Sequence, residues 1–180
     1  MDKQEQIEIL KALRCGQRAF LDALNGITED LAAKRPRPER WSVLECVGHV
    51  ALSEDFLRSL VMHAEHVSVP VINKVREDGI LVRGADRTRP MVSPEAVRPT
   101  GRFPSLSDAL QYFLVSRSET IRYLENCSED LRSMLATHPL LGSVNCREIV
   151  LLMAVHPHRH AKQIHEVRDA FNDSEAVQSR

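Results

Sequence analysis

Apolar residues recur at helical spacing in four separate stretches of the chain. Ile7, Leu10, Leu13, Phe20, Leu21 and Leu24, with polar residues between them, predict an amphipathic helix over roughly residues 3 to 25. Asn25-Gly26 supplies its stop signal. Val43, Val47, Val50, Leu57 and Val61 mark the apolar face of a second helix, opened by Trp41-Ser42. Ser42 and Glu45 stand in capping-box register, hydroxyl and carboxylate each serving one orphan amide. Leu106, Leu110, Phe113, Leu114, Arg117, Ile121 and Leu124 form the stripe of a third helix, capped by Ser105 and Asp108 and running to about Asn126. Asn145 with Glu148 opens the last helix by the same device. Its Ile149, Val150, Leu152 and Met153 spread over more than one face, as expected of a helix central to a bundle. It continues to about Phe171, and a polar tail follows from about residue 172.

The stretches between these helices read differently. Lys34 to Arg40 makes a stiff, basic, proline-bearing connector. Val67 to Pro104 breaks the helical pattern and holds Pro70, Pro90, Pro94, Pro99 and Pro104 together with several arginines. Within it Val71 to Arg76 suggests a helical turn, and Ile80-Leu81-Val82 a short extended piece. So long a segment reads either as a cover over a site, with an arginine to meet an acidic group, or as a solvated crossover. A short helical piece is expected from Ser128 to Leu135, then a turn over Thr137 to Gly142. His138 precedes a proline in that turn and is read as structural. No strand pattern or internal repeat stands out. The expectation is an all-α fold: one domain over residues 1–180, a four-helix bundle with a long crossover loop between helices 2 and 3.

Composition narrows the function classes. The chain has 180 residues, 43% hydrophobic and 27% charged, with a formal net charge of −1. That balance offers no general electrostatic footprint for nucleic acid or a membrane surface. The longest apolar run, Ile149 to Val155, is far too short to span a bilayer. Met1 to Gln6 is polar where a secretory signal needs an apolar segment, so the expected compartment is the cytoplasm. Cys15, Cys46, Cys127 and Cys146 form no CxxC pair and are expected as reduced thiols. Aromatic content of 4% gives no stacking platform from which to name a substrate.

The candidate chemistry lies in the last helix. His156 and His160 are four residues apart, which stacks two imidazoles on one helical face. Such a pair can bind one divalent metal. His158 points to a nearly opposite face. A mononuclear site needs a third ligand, and the best candidate is His49, about two turns into the second helix. The alternative for His49 is a core histidine satisfied by a neighbour. His63 and His66, near the end of helix two, read as surface residues. Gln163 shares the face of the His pair and is a candidate for a supporting hydrogen bond, or for simple packing. Glu54 lies five residues beyond His49.

Trp41-Ser42-x-x-Glu45-x-x-x-His49 resembles the opening of helix two in the DinB-like (DinB/YfiT-like) metalloenzyme superfamily. His156-x-x-x-His160-x-x-Gln163-Ile164 resembles its last-helix signature, and His138-Pro139-x-x-Gly142 and Pro94-Glu95-x-x-x-Pro99 resemble one branch of it. The resemblance spans about residues 5 to 170. It implies a four-helix bundle, often dimeric, with a divalent metal on His49, His156 and His160. Zinc or nickel is the first expectation, with manganese or iron as further options. It also implies activation of a water or low-molecular-weight thiol, as a hydrolase or thiol S-transferase acting on a small molecule. The family name refers to damage-inducible genes and implies no DNA-polymerase activity. One departure stands out: Pro157 falls inside the HxxxH. Proline removes an amide from the helix ladder and costs ~3 kcal/mol in a helix interior. Either the helix kinks there, or His156 ends one helical segment and Pro157 begins the next. The competing reading from another class is a metal-free helical bundle acting as a binding or scaffold protein.

Overall fold

The computed structural model describes residues 1–88 and 91–178, with side chains placed through residue 172 of the last helix. Arg89 and Pro90, counted above in the crossover, lie outside the described residues. Four long helices form the bundle: α1 (Lys3–Ala23), α3 (Val43–Met62), α5 (Leu106–Asn126) and α6 (Cys146–Gln178). A short α2 (Glu29–Ala33) bridges α1 and α3. Helix α1 packs chiefly on α6, and α3 packs on both α5 and α6. The close α1–α6 approach depends on Gly16, where a Cβ would run into the carbonyl of Ala154.

The helix starts follow from their caps. Ser42 and Glu45 form the reciprocal box, with Glu45 N–H donating to Ser42 Oγ at 3.1 Å and Ser42 N–H to Glu45 Oε2 at 2.8 Å. Ser105 Oγ accepts from the Asp108 amide. Asn145 Oδ1 accepts from Glu148 N–H at 2.9 Å, while Glu148 Oε2 accepts from Asn145 N–H at 3.0 Å. Apolar burial falls into two main clusters. One gathers Phe20, Val43, Val47, Phe113 and Ile164. The other gathers Leu13, Leu57, Leu124, Ile149 and Met153.

The crossover differs from the expected loop. It contains α4 (Lys74–Arg83), so Ile80-Leu81-Val82 is helical rather than extended, and a 3-10 turn at Glu95–Val97. Asn73 caps α4 by accepting from the Arg76 amide. Glu77, 2% exposed, fixes the helix in place. It accepts from Arg132 Nε at 2.9 Å and Arg147 Nε at 3.1 Å, and both arginines also pair with Glu5 of α1. The bundle also carries a small sheet, so the fold is mostly rather than wholly helical. Strands β1 (Glu65–His66), β2 (Met134–His138) and β3 (Gly142–Asn145) pair antiparallel in that order. The helical piece expected up to Leu135 is a single 3-10 turn, Leu131–Ser133, leading into β2. Leu135 pairs with both Glu65 and Asn145, so cross-strand partners decide its state. The hairpin turn closes at Gly142, φ 69°, a conformation that favours glycine.

Helix α6 runs past the expected end at Phe171 to Gln178, so the tail expected from residue 172 begins as helix. Extending an existing helix through weak formers costs only a few tenths of a kcal/mol per residue. Residues 179 and 180 of that tail lie outside the described residues. Among the described residues, no helix is long and apolar enough to cross a membrane.

Candidate metal centre

Helix α3 delivers His49 and helix α6 delivers His156 and His160 to one point. His156 Nε2 stands 3.2 Å from His49 Nε2 and 3.1 Å from His160 Nε2. One ligand atom from each of the three lies within 4.8 Å of the others. Two nitrogens bound to zinc at ~2.05 Å in tetrahedral geometry would stand ~3.3 Å apart. The two recorded Nε2–Nε2 spacings are therefore compatible with three imidazoles that could hold one metal ion.

The hydrogen-bond chemistry points the same way. His49 Nδ1 lies 2.7 Å from the carbonyl of Val97, an acceptor only, so Nδ1 carries the proton and donates it. Nε2 of His49 is then a bare lone pair aimed at His156. A single His156 Nε2 proton cannot serve both neighbours, so protons alone leave this cluster incompletely satisfied. Nδ1 of His160 is buried and has no hydrogen-bond partner among the described residues. A cation held by these residues would give all three Nε2 lone pairs a partner. Burial pushes the His49 pKa down to about 4 and holds His156 and His160 well below 6.5, with the nearby Arg159 charge adding to the effect. All three rings are neutral at pH 7, the form a metal ligand requires. Trp41 flanks the cluster, with its ring centroid 5.0 Å from that of His49 and stacked 6.3 Å from that of His160.

Pro157 neither ends the helix nor turns His156 away. Helix α6 continues through it. The missing Pro157 amide would have bonded to the carbonyl of Met153, four residues back. Arg117 Nη2 takes that carbonyl instead, at 2.9 Å. Arg117 is completely buried. It is held bidentate by Glu54 at 2.8 and 2.7 Å and also donates to the carbonyl of Leu13 at 2.9 Å. Thr120 Oγ1 adds a hydrogen bond to Glu54. One guanidinium thus ties α1, α3, α5 and α6 together beside the histidines. Glu54 belongs to this hub, and its recorded bonds go to Arg117 and Thr120 rather than to an imidazole.

A cavity of about 400 Å³ opens onto the three histidines. The crossover lines part of it through Arg87, Met91, Val92, Ser93, Pro94 and Val97. Gln163 is in the wall, where its Oε1 accepts from Arg87 Nη1 at 2.9 Å. The crossover arginine Arg87 meets an acidic group of its own chain, Glu166, bidentate at 2.8 Å. His138 caps its hairpin turn by accepting from the amides of Leu140 and Leu141, as a structural residue would, and it also reaches the cavity. His158 is apart from the cluster, beside Gly16 of α1. His63 and His66 are exposed. The Val97 carbonyl and Arg159 went unread in the sequence, and Arg117 was read only as a member of the third helix's stripe, without its partners. For Arg159 a signal existed, because it follows His156 by three residues and precedes Gln163 by four.

A DinB superfamily model matches residues 12–164. The chain belongs to the DinB superfamily. Among solved structures it is similar to YfiT from Bacillus subtilis, described as "a probable metal-dependent hydrolase with an unusual four-helix bundle topology". That likeness has a TM-score of 0.59 at 14% identity and covers 96% of this chain and 90% of YfiT. It is also similar to TT2238, described as a four-helix bundle protein, with a TM-score of 0.51 at 18% identity over 89% of this chain and 98% of that one. At such identities the likeness carries the four-helix-bundle fold and nothing finer. No curated protein matches the sequence.

Proposed function

We propose that this DinB superfamily protein is a metal-dependent enzyme whose divalent ion is held by His49, His156 and His160. The convergence of three neutral Nε2 lone pairs at the floor of a cavity carries this reading. A divalent ion there would supply Lewis-acid activation of a water or a low-molecular-weight thiol for attack on a small electrophile. The reaction class is hydrolysis or thiol S-transfer. The protein's own residues have separate tasks. The Val97 carbonyl fixes the His49 tautomer, and Trp41 screens the rings from bulk water. Burial keeps the imidazoles unprotonated at working pH. Three protein ligands leave at least one position open, the arrangement of a catalytic rather than a structural site. Zinc and nickel suit three imidazoles best, with manganese and iron as further options.

The test compares metal-stripped and reloaded protein against a panel of activated electrophiles, each with water alone and with several cellular thiols. Turnover that returns with metal and is absent from His160→Ala supports the proposal. Equal activity in stripped and reloaded protein would remove the metal from the reaction, and no turnover with any pairing returns the chain to the metal-free binding bundle.

A further inference from the structure

Outside the three histidines, two buried side chains of the cavity wall carry a donor with no hydrogen-bond partner among the described residues. One is Ser53, 5% exposed. It stands one turn after His49 on α3 and shares its face. A buried helical hydroxyl commonly bonds to the carbonyl four residues back. Thr120 does so to Ser116, but Ser53 makes no such bond. The other is His138, 7% exposed. Its Nδ1 accepts from the amides of Leu140 at 3.2 Å and Leu141 at 3.3 Å, so that nitrogen carries no proton. Burial lowers the pKa of the ring below 6.5 and keeps it neutral at pH 7. Its single proton is therefore on Nε2, on the side of the ring away from the turn.

Both donors belong to an apolar end of the cavity. Strand β2, which carries His138, packs on α3. Phe56 and Leu152 pack against the buried cluster that holds Leu57, and all three line the cavity with Ser53. Leu152 precedes His156 by one turn of α6, so this end adjoins the histidines. These residues carry no charge, and an ion would enter among them at a loss. A donor facing a cavity can bond to water. A ligand that displaces the water must offer an acceptor or leave the donor unpaired. Such a wall favours an uncharged apolar molecule that carries an acceptor over the same molecule without one.

We propose that the cavity takes an uncharged carbonyl compound with an apolar body, and that Ser53 and His138 bind its carbonyl oxygen. The Ser53 hydroxyl and His138 Nε2–H donate to that oxygen, while Phe56, Leu57 and Leu152 cover the body. Donors on a carbonyl oxygen also draw electron density from its carbon, the atom that a nucleophile attacks. The small electrophile of the proposed reaction is then a carbonyl compound, and that part of the inference rests on the metal centre. The binding preference itself is measurable with or without metal.

Calorimetric titration compares acetophenone with α-methylstyrene, in which a methylene group replaces the carbonyl oxygen. The ratio of the two affinities is followed across variants, so that the contribution of the apolar body cancels. Metal-stripped and zinc-loaded protein are both titrated. Ser53→Ala removes only the hydroxyl. His138→Asn keeps a side-chain oxygen for the turn amides and loses the Nε2 donor. In each, the ratio should fall about fivefold or more in both metal states, at unchanged zinc content and thermal midpoint. His138→Gln keeps a donor and loses the turn cap, so its thermal midpoint should fall while part of the ratio remains. A ratio unchanged in either Ser53→Ala or His138→Asn overturns the proposal, and so does a ratio that responds only with zinc present. The absence of saturable acetophenone binding up to ~10 mM also overturns it. Failure to bind zinc sinks the proposed enzyme while leaving the stripped-protein ratio able to decide this one.

Discussion

Two buried polar clusters sit five residues apart on α3, and they are built on opposite principles. Around Glu54 every strong group has its partner. The carboxylate takes two guanidinium N–H groups and a hydroxyl, and Arg117 gives two more N–H groups to the carbonyls of Leu13 and Met153. Around His49 the lone pairs converge without enough protons to join them. A closed network of buried charge holds elements in register, and removing one member exposes the others to a dry interior. An open network costs stability until something from outside completes it. The first is the bundle's fastener, and the second is where chemistry is expected.

Breaking the closed cluster should have the largest effect. Arg117→Met leaves Glu54 charged and unpaired and the Met153 carbonyl without a donor. Urea denaturation should record a loss of about 3–5 kcal/mol. A Glu54→Leu/Arg117→Met double variant should lose less than Arg117→Met alone, because no uncompensated charge remains.

Acid sharpens the contrast next. Burial lowers the pKa of all three histidines in the folded chain, His49 to about 4, against 6.5 when unfolded. Below pH 6.5 the unfolded chain therefore binds protons that the folded chain refuses. Stability of the metal-free protein is complete above 6.5 and is lost as pH falls toward 4. His49 alone accounts for about 3 kcal/mol across that window. Denaturant titrations at a series of pH values read this directly, and a flat profile between 6.5 and 4 would refute the assigned burial.

Smaller effects follow. Pro157→Ala returns an amide to α6, and in an ordinary helix interior this would restore ~3 kcal/mol. Here Arg117 already serves the Met153 carbonyl, so the gain in denaturation free energy should stay below ~1 kcal/mol. The smallest change belongs to the open cluster: His160→Leu in metal-free protein should alter stability by no more than about 1 kcal/mol in either direction, though it removes a fully buried polar ring. A loss like that of Arg117→Met would make the histidines a second fastener.

The two clusters also differed in legibility. The His pair at spacing four and the three caps, Ser42 with Glu45, Ser105 with Asp108 and Asn145 with Glu148, are local patterns with a fixed physical meaning: the two rings share a helix face and the three capped helices are present. Helix α4 was read only as a helical turn over Val71 to Arg76, because its anchor, Glu77, is held by Arg132 and Arg147 from distant parts of the chain, arginines that also pair with Glu5. Strand β2 was missed because a five-residue segment takes its state from the neighbours that pair with it. Pro157 announced a carbonyl in need of a donor at Met153. Nothing in the sequence said that Arg117, thirty-six residues earlier on another helix, would supply it. Arg159 was readable from its place on the ligand stripe.

The most direct test is an equilibrium metal measurement on tag-free protein, stripped by chelator, reloaded near neutral pH and desalted. The account predicts one zinc or nickel ion per chain, with affinity falling at least tenfold in each of His49→Ala, His156→Ala and His160→Ala. Well under one ion per chain with zinc, nickel, manganese and iron alike, or undiminished affinity in His156→Ala, would contradict it.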